Sequence, residues 1–145
     1  MRALVQRVLS AELRIEGKVQ GSIEKGLLVY LGFTEGDDKA KVDYVMDRVG
    51  KIRLFEDADG KINLDLQTVQ GKVLLVPNFS LYADAIGGRR PSFSNALRPE
   101  ESKPLFEYAL QVFEQKFFKP ERGVFGADMK IDAVADGPLN VIIER

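Results

Sequence analysis

The chain has 145 residues and a mass of 16.2 kDa, enough for one domain that buries roughly two thirds of the surface its unfolded form exposes. It contains neither histidine nor cysteine, which removes Ser/His/Asp and Cys/His catalysis and leaves a zinc ion without its usual ligands. With 21 Lys and Arg against 22 Asp and Glu the net charge is −1, so no broad basic face is available for a phosphate backbone, and any nucleic-acid contact should be local.

Hydrophobic residues make up 45% and charged residues 30%, the balance of an ordinary globular protein. The opening MRALVQRVLS carries Arg2 and Arg7 and no apolar stretch of signal-peptide length, so a cytoplasmic protein without a membrane partner is expected. Acidic residues do not cluster into a Mg²⁺-binding motif, and neither a metal nor a cofactor is expected. No repeat, low-complexity tract or linker divides the chain, which reads as a single domain over 1–145.

Residues 2–9 are rich in Leu and Val, and Leu13 and Ile15 alternate with Glu12 and Arg14 before Glu16-Gly17-Lys18, which predicts a hairpin. GLLVYLGF, 26–33, is a continuous apolar run and should be a central strand buried on both faces. Asp37 or Asp38 can cap a helix in which Val42, Val45, Met46 and Val49 form the apolar stripe, ending near Arg48 or Gly50. KIRLFED, ADG, KINLDL and KVLLVPNFSLY read as strands and turns, with Asp59-Gly60 a tight turn.

The stretch PNFSLYAD, 77–84, places a carboxamide, Asn78, and a hydroxyl, Ser80, where the chain leaves the sheet. Ser80 has the form of a nucleophile, but the sequence offers no imidazole to activate it. In GGRRPSF, 87–93, the Gly-flanked pair Arg89 and Arg90 suits either solvent or one or two phosphates, which guanidinium groups meet bidentately. Pro99 suits the first position of a second helix, along which Phe106, Leu110, Phe113 and Phe117 line a core face.

Met129, Ile131 and Ala133 alternate in one predicted strand, and Leu139, Val141 and Ile143 in another. The turn between them is unusual: Asp136-Gly137 would suit a type I′ hairpin, but the next residue, Pro138, has no N–H to close it. A wide loop, splayed strands or a cis Gly137–Pro138 bond are the alternatives.

Taken together, MRALVQRV, GLLVYLGF, RLFED, PNFSLYAD, GRRPSF, FGADM and DGPLNV resemble, in order and spacing, the bacterial D-aminoacyl-tRNA deacylases over essentially the whole chain. The resemblance implies an α+β fold, mostly antiparallel sheets forming a barrel-like core with two helices packed on it. It implies a homodimer with active sites at the interface, acting on the 3′-terminal adenosine of aminoacyl-tRNA. The implied reaction is hydrolysis of the ester to D-amino acids, and to glycine mischarged on tRNA(Ala), assisted by the ribose 2′-OH.

Residue by residue, the family's Ser-Gln-Xaa-Thr-Leu motif falls on Pro77, Asn78, Phe79, Ser80 and Leu81. Ser80 and the Phe79 backbone would be catalytic, Ser80 by positioning and not as a nucleophile; Pro77 and Asn78 would contact substrate. The Asn-Xaa-Gly-Pro-Val-Thr motif falls on Ala135 to Asn140, with Gly137 and Pro138 retained; in the family this bond is cis and excludes L side chains from the partner's pocket. Arg7 matches the arginine that holds the Gly–Pro unit, and Met129 a residue near the substrate amino group. Pro77 also stands at this position in related animal deacylases that act on L-alanyl-tRNA. The alternative from another class is a protein that binds RNA ends or nucleotides without turnover, to which the departures at Pro77 and Asn78 point.

Overall fold

A computed structural model describes residues 1–145. Strand β1 (Arg2–Ile15) organises the sheet because both of its edges are used. Along one edge lie β2 (Lys18–Ile23) and β3 (Gly26–Gly32), from Ile15↔Lys18 at the hairpin to Arg2↔Gly32 at the far end. The turn into β2 has φ of 50° at Glu16 and 77° at Gly17, the double positive φ that matches the twist of paired strands. β3 then pairs in parallel with β6 (Lys72–Pro77), and β6 in parallel with β7 (Glu121–Arg122). A parallel pair needs a long crossover. Here residues 33–71 supply it, carrying α1 (Lys39–Lys51) and a small ribbon of β4 (Phe55–Glu56) and β5 (Ile62–Leu64).

Four of the six strand pairings are antiparallel, and the mixed main sheet curls until β2 meets β7. At the meeting point Gly21 faces the Glu121 carboxylate, the Arg122 carbonyl oxygen and a Leu74 methyl, which an added Cβ would meet at 3.2, 3.4 and 3.4 Å. Inside the curl sits a core of Val8, Ala11, Leu13, Ile23, Leu28, Leu74 and Val76. The larger core lies on the other face, under α1 and α2 (Pro99–Lys116), and includes Ala3, Val5, Leu27, Val29, Val73 and Leu75. In β1 the residues facing the inner core pass from even, Val8, to odd, Ala11 and Leu13. The register slip between Val8 and Ser10 accounts for this, because one extra residue, Leu9, exchanges the two faces of a strand.

The C-terminal segment departs from the predicted two strands joined by a turn. It is one strand, β8 (Lys130–Glu144), antiparallel to β1 over almost its whole length. Asn140 pairs with Gln6 and Ala135 with Val8, so Asp136, Gly137, Pro138 and Leu139 together oppose Arg7 alone. The Gly137–Pro138 bond is cis and Gly137 has φ of 121°. Both halves retain their alternation, but they serve different cores. Leu139, Val141 and Ile143 pack under the helices, whereas Met129 and Ile131 pack inside the curl. Proline thus marks a bulge in a continuous strand, not a hairpin tip.

Asp38, not Asp37, caps α1, accepting a hydrogen bond from Lys41 N. The fully buried Asp37 carboxylate accepts instead from the Met1 ammonium at 2.6 Å and from the Thr34 amide. In α2, Pro99 takes the first turn as expected, and Phe106, Leu110 and Phe113 are buried. Phe117 falls at the C-cap, only half-buried, yet its ring packs 5.0 Å from that of Phe113. It also closes the crossing with α1, since a Cβ on Gly50 would come within 2.2 Å of it. Gly50→Ala should therefore destabilise the protein by about 1–2 kcal/mol in urea unfolding, because an overpacking cost of up to about 3 kcal/mol outweighs the roughly 1 kcal/mol gained in helix propensity; unchanged or greater stability would show that Phe117 is free to move aside.

Candidate active site

β6 ends at Pro77, where the parallel ladder reaches Leu31, so the chain leaves the sheet at the start of the 77–84 stretch. The next structure is a single 3₁₀ turn, Phe79–Tyr82. Asn78 holds the junction: its N–H donates to Leu31 O at 2.7 Å, and its Oδ1 accepts from Ser80 N at 3.0 Å. A carboxamide that caps a helical turn in this way competes directly with strand extension. The Ser80 hydroxyl also donates to Asn78 Oδ1, at 2.5 Å. Its proton is committed to a neutral amide rather than to a base, which argues against a serine nucleophile.

The turn is exposed, with no buried residue of its own. It approaches β3 closely at Gly32, where a Cβ would lie 2.9 Å from Leu81 Cβ and 3.0 Å from Asn78 O. Tyr82 closes the turn; burial, with Asp37 and Glu144 adding to it, pushes its hydroxyl up to about 12, so the ring is neutral at physiological pH. Phe79 is 58% exposed and meets the Phe93 ring edge-on at 5.0 Å. With Pro77 and Phe125 these rings line a cleft of about 830 Å³ whose wall includes Arg98 and Lys103. Phe93 follows a loop pinched by two 2.8 Å hydrogen bonds between Asp84 and Ser92. Arg89 and Arg90 are exposed within that loop and form no ion pair.

Met129 joins the strand end from behind. A Cβ on Gly123 would meet Met129 Sδ at 2.8 Å, Pro77 Cδ at 3.1 Å and Leu13 Cδ1 at 3.3 Å, so all three pack around one bare α-carbon. Gly123 is in turn anchored through its neighbour: Arg122 donates to Glu107 at 2.8 and 2.5 Å, linking β7 to α2.

The second predicted cluster lies elsewhere in the same chain. Arg7, only 6% exposed, donates to Leu54 O at 2.7 Å and lies 3.0 Å from the Asp136 carboxylate, with Glu56 at 3.8 Å. This ties the bulge to the segment leading into β4. Pro77 stands level with Leu31 and Ala3, whereas Gly137–Pro138 stands opposite Arg7. Four residues along β1 make about 13 Å, and β1 and β3 also separate the two. One chain therefore brings Pro77, Asn78, Phe79, Ser80 and Met129 together but holds Gly137, Pro138 and Arg7 apart. Phe93, Phe125 and Arg98, with no chemistry of their own to mark them, emerge only once the cleft is formed.

The two-helix, nearly closed barrel-like sheet is a fold already seen in solved structures. A c-Myc DNA unwinding element binding protein matches with a TM-score of 0.93 and 27% identity, covering 100% of this chain and 99% of that one. A probable eukaryotic D-amino acid tRNA deacylase matches in fold with a TM-score of 0.81 at 15% identity, over 98% and 97% of the two chains. Sequence is more specific. The family model for D-Tyr-tRNA(Tyr) deacylase matches residues 4–144. The D-aminoacyl-tRNA deacylase of Syntrophomonas wolfei is 44% identical over 144 residues, 99% of this chain and 97% of that protein. The D-aminoacyl-tRNA deacylase of Vibrio vulnificus is 46% identical over 139 residues, 96% of each. The chain belongs to the D-Tyr-tRNA(Tyr) deacylase family.

The Arg122–Glu107 pair behind the cleft gives a pH test. Its hydrogen bonds to Arg122 hold the Glu107 carboxyl below its ordinary value of 4.5. A depressed folded-state value contributes stability above 4.5 and loses it as pH falls through the lower folded value. Glu107→Gln should flatten that acid-side decline in urea midpoints measured between pH 6 and 3, and an unchanged slope would show that the pair contributes nothing there.

Proposed function

We propose that this chain hydrolyses the ester linking D-amino acids to the terminal adenosine of tRNA, and that it accepts glycyl-tRNA(Ala). The observation that carries the reading is the capped turn Asn78–Tyr82 beside the aromatic cleft, in a chain whose relatives over 96–99% of its length are D-aminoacyl-tRNA deacylases. In this reading the adenine base stacks on the exposed rings of Phe79 and Phe93, a sequence-tolerant contact worth about 1–3 kcal/mol. The Phe79 backbone amide, at the head of the turn, faces the developing oxyanion, and Ser80 positions the adenosine end through its hydroxyl.

No protein base is required. The aminoacyl ester is already activated, and the neighbouring ribose 2′-OH handles the proton for which the chain has no imidazole. Orientation and oxyanion stabilisation supply the remaining acceleration. Water adds to the carbonyl carbon, the bond to the ribose 3′ oxygen breaks, and free D-amino acid and tRNA leave.

Two chains complete the site. The separation of Gly137–Pro138 from the Pro77–Ser80 cluster within one chain supports a homodimer in which the Gly–Pro bulge enters the pocket of the second copy, beside Met129. There the bulge excludes an L side chain by clash, a rejection that glycine escapes. Arg7 holds the bulge through its surroundings, and Arg89 and Arg90 meet acceptor-end phosphates. None of the helices is long and apolar enough to cross a membrane, and action on tRNA suits the cytoplasm.

A second reading, nucleic-acid binding without turnover, draws on Pro77 and Asn78 and on the DNA-binding name of the 27%-identical structural match. The match of nearly the whole chain to D-aminoacyl-tRNA deacylases weighs against it. Release of D-tyrosine from D-Tyr-tRNA by the purified protein separates the two; no release at stoichiometric protein would exclude the enzyme reading. Ser80→Ala, which loses one neutral hydrogen bond worth about 1 kcal/mol, should lower kcat/KM by roughly fivefold. Abolished turnover with tRNA binding intact would instead restore a nucleophile. Pro138→Ala should lower the ratio of D- to L-Tyr-tRNA hydrolysis by about tenfold or more, and an unchanged ratio would place the rejection elsewhere.

A further inference from the structure

We propose that Arg2 is a positioning residue for the proposed deacylase site, holding the 3₁₀ turn that carries Phe79 and Ser80; the inference rests on the functional reading above. The turn has no buried residue to anchor it. Of its closing backbone contacts one is long, Leu81 N at 3.5 Å from Asn78 O, and one ordinary, Ala83 N at 3.1 Å from Ser80 O. Among side chains outside the turn and its cap, Arg2 alone donates to its backbone: Arg2 Nη1 reaches Leu81 O at 2.6 Å.

The same guanidinium makes two further contacts in different directions. Its central carbon sits 4.8 Å from the centroid of the Tyr82 ring. Its Nη2 and Nε reach Glu144 Oε1, at the end of β8, at 2.8 and 3.2 Å. A planar cation with several fixed donors can make all three at once, whereas a lysine ammonium can keep the carbonyl contact but not the fork. β1, whose pairing with β3 and β8 fixes Arg2 in space, thereby reaches across Gly32 to set the height of the turn over the cleft. Charge at Arg2 is not needed to bind phosphate here, because its donors are already directed at Leu81 and Glu144.

The consequence is a kinetic signature. A brace acts on the geometry of the reacting groups, where a misplacement of about 1 Å can cost a hundredfold, and it leaves Phe93, the half of the adenosine platform that lies outside the turn, in place. Arg2→Met, which keeps the apolar stem, should lower single-turnover kcat on D-Tyr-tRNA by roughly five- to tenfold while KM stays within about twofold. Arg2→Lys should recover at least half of the wild-type rate. Wild-type protein without turnover would defeat the functional reading itself. With an active wild type, an Arg2→Met rate within twofold of it, a loss carried in KM, or an Arg2→Lys rate as low as that of Arg2→Met would overturn the brace. Should Arg2→Met fail to fold by circular dichroism, Glu144→Ala, which frees the exposed end of the guanidinium, is read the same way: reduced kcat with KM held supports the brace, and unchanged kcat overturns it.

Discussion

Everything in this molecule is referred to β1, because a single 14-residue strand is paired along both edges. One edge takes β2 and β3 in sequence and the other takes β8, so any irregularity in β1 passes to both sides of the sheet. The slip at Leu9 lets the strand leave the core under the helices and enter the core inside the curl. The bulge at Asp136–Leu139 makes the same exchange in β8. Backbone pairing is thus kept on either side of the points where side-chain packing changes partners, and Gly137 and Pro138 are among the residues left out of the ladder.

The consequence for chemistry follows from what the chain lacks. Without histidine or cysteine, no side chain has an ordinary pKa near neutrality, and the Ser80 hydroxyl donates its hydrogen bond to an amide oxygen. A protein built like this can contribute shape, backbone donors and stacked rings. Those suffice only for a substrate that arrives activated, as an aminoacyl ester does. The placement of Pro77–Ser80 and of Gly137–Pro138 at separate points of one chain is what the proposed division of labour rests on: in that proposal one cluster orients, the other excludes, and a second copy brings them together.

Much of this was legible in the sequence wherever periodicity and capping agree. The central strand Gly26–Gly32, the helix after Asp38, Pro99 at the start of α2 and the Glu16-Gly17 turn were all readable from local pattern. Misreadings came where a side chain outside the local window decided the outcome. Met129–Ile143 alternates as two strands do, and only the shared partner β1 makes it one. Asp37 looks like a cap until the distant Met1 ammonium claims it. Arg2 and Phe93 gave no signal, since their meaning depends on the close approach of the turn to β3 at Gly32.

The account stands or falls on whether the RNA supplies the group that the protein lacks. The most direct measurement compares hydrolysis of D-Tyr-tRNA ending in adenosine with the same ester ending in 2′-deoxyadenosine, alongside binding of each. Both should bind similarly, and hydrolysis of the deoxy substrate should fall by about a hundredfold or more, as expected on losing a general acid–base group. Equal rates on the two substrates would contradict it and return the search to a catalytic group within the chain.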